Sequence, residues 1–290
     1  MAKNYNNNHV IALQNRGVGE NDGVVSLTFY GHASFMLRSP GGVTMVLDPW
    51  KNDESGFWGL WYHRKFPKTK CDIGLSTHNH FDHNAIERLE CSMVLDRMAG
   101  TFSLADVSIE GYADKHTTRG STGTLFDELG IEKNPPNNIA VLDNTMFVIT
   151  TGGIRFLFWG DNRFDAPDDV LRAIGEVDVL IIPVDDSMHL LTFEEVSSIA
   201  CTTGARAIVP CHYLTEKVGS TLSTLKTADL WVNQHQELVE SVGTHTKELT
   251  LDSITQWPRA TNEKICKTLY FAHFLPFDPS QLPLSTLRES

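Results

Sequence analysis

A run of about 18 uninterrupted apolar residues, the length a membrane-spanning helix needs, occurs nowhere in the 290-residue chain. The first ten residues, MAKNYNNNHV, lack the apolar core of an export signal, so a cytoplasmic location and no membrane partner are expected. Cysteine is scarce. The five at positions 71, 91, 201, 211 and 266 show no C-x-x-C spacing, and their odd number argues against a full disulfide framework and predicts reduced thiols. Positive charge is also short. With 24 Lys and Arg against 36 Asp and Glu, the formal charge is -12, which argues against nucleic acid as a partner because a phosphate backbone calls for a basic face. Between residues 24 and 250 there is no Pro/Gly/Ser-rich linker, long charge run or repeat. One α/β domain over 24–250 is therefore expected, preceded by an extension (1–23) and followed by a tail (251–290). Neither a G-x-S-x-G elbow nor a phosphate-cradling G-x-x-x-x-G-K-[ST] loop is present.

What the chain does have is concentrated histidine. Of its 12 histidines, three share six consecutive positions with an aspartate inside STHNHFDHNA, residues 76–85. His9, His63, His235, His245 and His273 are scattered and read as surface or satisfied core groups. The cluster begins where a short apolar strand pattern, CDIGLS, stops, so its side chains are held at a strand end. DHNAIERLE after it has helix character, with Asp82 near its start, where a carboxylate also suits the helix dipole. Three imidazoles crowded into one loop would repel one another if protonated. As neutral rings they are the commonest nitrogen ligands for divalent metals. In the order H-x-H-x-D-H, His78 and His80 can grip one ion while Asp82 and His83 turn toward a second. Neither pair fills a tetrahedral shell, so further ligands are expected elsewhere.

Three later strand patterns end in such candidates: SIEGYADKH at His116, IRFLFWGD at Asp161 and ARAIVPCH at His212. Each alone is also what an ordinary strand end looks like. Together they supply a third imidazole for each ion and a carboxylate able to bridge both. Residues 24–48 read as two or three strands joined at Ser-Pro-Gly-Gly, with Asp48 ending the last, and NTMFVITTGGIRFLFWGD reads as a hairpin turning at Gly152 and Gly153. Helices are expected to start near Ala166 and Thr192, with VDVLIIPVDD a buried strand between them. This alternation indicates a mixed sheet flanked by helices.

Asp48, THNHFDH, His116, Asp161 in WGDN and His212 in VPCHY follow the order of the five motifs of the metallo-β-lactamase superfamily, which the chain resembles over about residues 24 to 215. YGHASFMLRSPGGVTMVLDPW and DVLIIPVDDSMHLLTFEEV resemble its branch of metal-dependent hydrolases containing L-ascorbate-6-phosphate lactonase-like enzymes. The resemblance implies a four-layer αββα sandwich with the metals at one edge of its two sheets. It implies that His78, His80 and His116 hold one ion, and Asp82, His83 and His212 the other, with Asp161 between them. Asp48 would orient a ligand through hydrogen bonds rather than bind metal, and His32 would either approach the site or pack in the core. Where many relatives carry a glycine pair after the IIPV strand, this chain has Asp185 and Asp186, then Ser187 and His189. At least one of Asp185, Asp186 and His189 is expected to face the pocket and select substrate or protonate a leaving group. The alternative is a turn whose aspartates bind local backbone amides.

Two divalent ions would bring the pKa of a bridging water toward neutrality. The expected activity is therefore hydrolysis of a small ester, lactone, phosphoester or related bond by a metal-bridging hydroxide, with Asp82 orienting the nucleophile. Zn is the first expectation, and the mixed N/O donors also admit Mn or Fe. Two other functions fit the same residues: iron-dependent oxygen handling, and a subunit of a hetero-oligomeric hydrolase in which another chain is the main catalyst. Residues 57–66 gather Phe57, Trp58, Trp61, Tyr62 and Phe66 beside Arg64 and Lys65. That loop is either a substrate lip, which would favour an aromatic or acyl substrate, or an oligomer contact or satellite core. The tail from 268, TLYFAHFLPFDPSQLP, is expected to dock on its own domain or a neighbouring subunit, so a homo- or hetero-oligomer is expected.

Overall fold

The computed structural model describes residues 21–117 and 143–285; His9 and nearly all of the 1–23 extension lie outside them. β1 (Val25–Gly31) alternates strictly, with Val25, Leu27 and Phe29 buried, as a strand with one face on a core must. It pairs antiparallel with β2 (Ser34–Arg38), which turns through Ser-Pro-Gly-Gly into β3 (Thr44–Leu47). Ser39 closes that turn: its backbone N–H donates to the Val43 carbonyl, and its hydroxyl accepts the Val43 N–H. Residues 24–48 thus form three strands.

The chain continues through β4 (Thr69–Lys70), β5 (Ile73–Ser76), β6 (Leu89–Glu90), β7 (Met93–Asp96), β8 (Gly100–Leu104) and β9 (Val107–Lys115). After residue 142 come the hairpin of β10 (Asp143–Thr151) and β11 (Ile154–Phe158), then β12 (Val179–Pro183), β13 (Ala207–Cys211), β14 (Val239–Ser241), β15 (Thr246–Leu249) and β16 (Lys267–Tyr270). The α-helices among the described residues are short: α1 (Asp168–Ile174), α2 (Phe193–Thr202), α3 (Asp229–Gln234) and α4 (Leu251–Thr255). None is long and apolar enough to cross a membrane. α2 starts where the sequence signals it, with Thr192 and Glu195 forming a reciprocal capping box.

DHNAIERLE does not become an α-helix. Only Ile86–Arg88 winds, as one 3-10 turn, before the chain extends into β6. The backbone there is committed elsewhere: Ala85 donates to the Pro49 carbonyl at 2.7 Å, which ties the segment to the loop after β3.

Two sheets face each other. The smaller runs β15-β1-β2-β3-β5-β7, and the larger runs β14-β16-β13-β12-β11-β10-β9-β8. Phe35 of β2 meets Phe158 of β11 across the interface with ring centroids 6.5 Å apart. β12 and β13 are buried at every residue, as strands covered on both faces must be. Helices cover the outer face of the larger sheet, where Phe193 of α2 packs edge-on against Trp231 of α3. The outer face of the smaller sheet is covered differently. There Val46 of β3 packs with Trp50, Trp61, Tyr62 and Phe66 in a second hydrophobic cluster.

The tail docks on its own domain. β16 sits inside the larger sheet between β14 and β13, and Arg64 forms a β-bridge with Leu284.

Strand direction is what assembles the site. β3, β5 and β7 are parallel, and β1 runs with β3 because both are antiparallel to β2. In the larger sheet β11, β12 and β13 are parallel, and β9 runs with them because both it and β11 are antiparallel to β10. The C-terminal ends of these strands therefore gather along common edges, and each leads within three residues into a polar residue.

Candidate metal centre

At that edge β1 delivers His32, β3 delivers Asp48, and β5 delivers the 78–83 cluster. From the larger sheet β9 delivers His116, β11 Asp161, β12 Asp185 and β13 His212. Donor atoms of His78, His80 and His116 lie within 4.8 Å of one another, and so do those of His32, Asp82, His83 and His212. Asp161 lies between the two groups. Its Oδ2 is 3.3 Å from His116 Nε2, 3.2 Å from His212 Nε2 and 3.8 Å from His78 Nε2, while its Oδ1 is 3.4 Å from His83 Nε2. Asp82 Oδ2 is 3.3 Å from His212 Nε2 and 3.4 Å from His83 Nε2. All seven residues named from the sequence thus converge at one place.

Hydrogen bonds around the rim set the tautomers. His116 Nδ1 donates to the Thr117 carbonyl at 2.6 Å. His83 Nδ1 donates to Asp48 Oδ2 at 2.7 Å. The Thr77 hydroxyl donates to Asp48 Oδ2 at 2.7 Å, so its lone pair receives His78 Nδ1–H at 2.9 Å. Each Nδ1 carries its proton outward, and each Nε2 faces the centre as the atom a metal would use. Buried, His78 Nε2 and His83 Nε2 form no hydrogen bond of ordinary geometry, and the same holds for Asp161 Oδ1. A buried polar atom left this way is costly unless a cation takes it up, so the donor set fits metal.

Asp48 is a hub that touches the centre only through others. It is fully buried and also accepts the Thr77 backbone N–H at 2.7 Å. His32 is the second rim residue. The structure places it in the site rather than in the apolar core, its Nε2 3.1 Å from Asp82 Oδ2 and its ring 4.1 Å from that of His212. Sequence reading missed Thr77 and Asn144. The Asn144 side chain accepts the Asp161 N–H and donates to the Trp159 carbonyl, which fixes the turn carrying Asp161. Gly160 in that turn has φ +60°, and a Cβ there would come within 2.5 Å of Asn144 Oδ1. Only glycine fits.

The group after β12 divides. Asp186 accepts from the Thr227 hydroxyl and from the Leu230 N–H, and so serves the start of α3. Asp185 turns the other way. Its Oδ1 accepts the Ser187 and Met188 amides, as a turn aspartate does, while its Oδ2 holds His189 Nδ1 at 2.6 Å. Donor atoms of Asp185, His189 and His212 lie within 4.8 Å of one another.

Burial and charge act against each other here. Burial pushes the His32 and His80 rings down, to about 3 and about 4, with neighbouring imidazoles adding to it. Burial also opposes charge on His83 and His212, but the nearby carboxylates outweigh it. His83 is raised well above its ordinary value by Asp161, Asp82 and Asp48, and His212 is raised to about 9 by Asp161 and Asp82. Despite burial, the same contacts hold the Asp82 and Asp161 carboxyls well below the usual range.

Stripped of metal, the protein should therefore have a stability optimum. Protons on His83 and His212 are bound more tightly in the folded chain. Their contribution is complete below the ordinary histidine value of 6.5 and is lost as pH rises through about 9 for His212. His32 and His80 act in the opposite sense: stability falls as pH drops below 6.5, because the unfolded chain takes protons that the folded rings refuse down to about 3 and about 4, respectively. A metal held by His83 and His212 would replace their protons, so the Tm difference between loaded and chelator-treated protein should widen from pH 6.5 to 9. Thermal melts across that range check this, and a constant difference would contradict it.

Two facing sheets with a buried His/Asp cluster at their common edge define a class: a mixed α/β domain able to bind metal at that edge. The chain belongs to the beta-lactamase superfamily, whose domain profile matches residues 26–212. A UPF0173 metal-dependent hydrolase of Rubrobacter xylanophilus is 27% identical over 217 residues, covering 66% of this chain and 82% of that protein. Another, from Thermodesulfovibrio yellowstonii, is 32% identical over 111 residues, covering 37% of this chain and 40% of that protein's length. A solved structure from Thermotoga maritima, whose name places it among Zn-dependent hydrolases of the metallo-β-lactamase superfamily, shares the fold. Its TM-score is 0.56 at 23% identity, over 85% of this chain and 97% of that one.

Proposed function

We propose that this chain is a dinuclear metal-dependent hydrolase acting on a small ester, lactone, phosphoester or related bond. Zn is the first candidate ion, and Mn or Fe also suit the mixed N/O donors. One observation carries the reading: imidazoles with Nδ1 tied outward and Nε2 turned inward surround Asp82 and Asp161. The hydrolase names of both relatives support it. Bound there, two ions would supply an ionised water at neutral pH and polarise the scissile oxygen.

The chain's own residues do the rest. His78, His80 and His116 would hold one ion, Asp82, His83 and His212 the other, with Asp161 shared. His32 fixes the direction of Asp82, which in turn orients the attacking water. With its Nδ1 proton held by Asp185, His189 can offer a proton from Nε2 to the leaving oxygen. Five free thiols support a reducing, cytoplasmic setting.

Metal analysis of purified protein is the first test. About two ions per chain are expected, and fewer than about one after reconstitution with Zn or Mn would sink the reading. His189→Ala and Asp185→Asn should each lower turnover about 10²-fold with metal content intact. Asp186→Asn should change neither. Unchanged kinetics in the first two variants would remove His189 from the mechanism.

A further inference from the structure

We infer that the centre takes neutral esters or lactones bearing an apolar acyl or aryl arm, in preference to phosphoesters; this rests on the hydrolase reading above. The first ground is charge. Asp48, Asp82, Asp161 and Asp185 are all buried, and their ion-pair partners among the described residues are imidazoles throughout. Phosphate is ordinarily gripped by arginine forks, lysine or a helix N-terminus. Two divalent ions would meet four carboxylates, leaving little net positive charge for an anionic phosphoester.

The second ground is an aromatic path from the centre to solvent. The Trp61 ring stands edge-on to His212 at 6.5 Å and to His32 at 6.3 Å, and Phe81 stands edge-on to Trp61 at 5.1 Å. Trp61 uses its one polar atom on the Trp58 carbonyl, at 3.0 Å, so what it offers otherwise is hydrocarbon. Trp58 in turn packs edge-on against Phe57 at 5.1 Å. Exposure rises along this line, from 7% at Trp61 to 38% at Trp58 and 67% at Phe57. Leu222, 78% exposed, sits two residues beyond Ser220, whose N–H donates to the Trp61 carbonyl at 2.7 Å. An acyl or aryl arm leaving the centre along Trp61 would cover this apolar strip. In the reaction, the acyl carbon forms a C–O bond to water oxygen and loses its bond to the alkoxy oxygen. One water proton goes to that leaving oxygen, and the carboxylate product releases the other.

Product analogues test this apart from turnover. Zn-loaded full chain is titrated calorimetrically with acetate, butyrate, hexanoate, octanoate and inorganic phosphate. Affinity should rise about 2- to 4-fold per added methylene until the strip is covered. Trp58→Ala should flatten that slope at the longer chains, and Trp61→Ala at all of them; the exposed Trp58 keeps the test valid should Trp61→Ala misfold. A slope near zero in the wild type, or phosphate binding tighter than octanoate, overturns the inference. So does a Trp58→Ala variant that turns a dimer into a monomer by sedimentation with carboxylate affinity unaltered, which would make the strip a self-contact. If the carboxylates rank as expected but neither aryl esters nor lactones are cleaved, the hydrolase reading fails while the ligand class stands.

Discussion

Asp161→Ala should leave the protein folded and nearly inactive, with metal content falling below that of any single-histidine variant. Asp161 faces the Nε2 atoms of both ligand groups: its two oxygens lie 3.2 to 3.8 Å from the Nε2 atoms of His78, His83, His116 and His212. On the dinuclear reading, removing it would take a shared donor from both ions and leave Asp82 as the carboxylate beside His83 and His212. Turnover should drop about 10³-fold or more, the scale at which loss of a central electrostatic contact is felt. Metal analysis and circular dichroism on the same sample read the outcome. Two retained ions per chain would show that Asp161 is not shared. The strain at this turn belongs to Gly160 rather than to Asp161, so the substitution itself should not disturb the backbone.

Asp48→Asn should weaken metal binding about 10- to 100-fold, the range found when a hydrogen-bond partner of a ligand is replaced. The upper end is expected because Asp48 orients two rings at once, His83 directly and His78 through Thr77. An amide nitrogen facing His83 Nδ1 would present donor to donor and favour the tautomer with its proton on Nε2, which cannot ligate. The backbone at Asp48 is left-handed, φ +43°, a conformation asparagine accepts as readily as aspartate. The variant therefore isolates the charge and hydrogen-bond effect from backbone strain. Competition with a chromophoric chelator measures the affinity, and a value within about 2-fold of wild type would exclude the orienting role.

The site was far more legible in the sequence than its supports were. Each of His78, His116, Asp161 and His212 stands where a short apolar strand stops, a local pattern that needs no knowledge of the rest of the fold. Chain direction then brings the strand ends together. Thr77 and Asn144 carry no such signal, because a threonine beside a histidine or an asparagine opening a strand has meaning only once its partner, from another strand, is in place. DHNAIERLE shows the opposite failure. Its residues favour a helix, but the carbonyl of Pro49 claims the Ala85 amide and Asp48 claims the His83 ring, so tertiary bonds override the local preference. The aromatic loop resolves into two parts that its composition could not separate: Tyr62 and Phe66 fill a core, while Phe57 and Trp58 face solvent. The segment from 268 opens in a strand of the main sheet, since β16 pairs with residues 29 and 60 positions earlier in the chain, and no short-range pattern reports such partners.

β16 also sets a timetable for biosynthesis. It fits between β14 and β13, both made earlier, so the short edge strand β14 joins the larger sheet only once residue 270 has been synthesised. β13 ends one residue before His212, and the next residue, Tyr213, donates its hydroxyl proton to the Ala272 carbonyl at 2.8 Å. The cluster at 78–83 is thus made well before the strand that completes the sheet beside His212. Insertion of a strand next to the sheet edge, between partners made earlier, is a long-range and slow event.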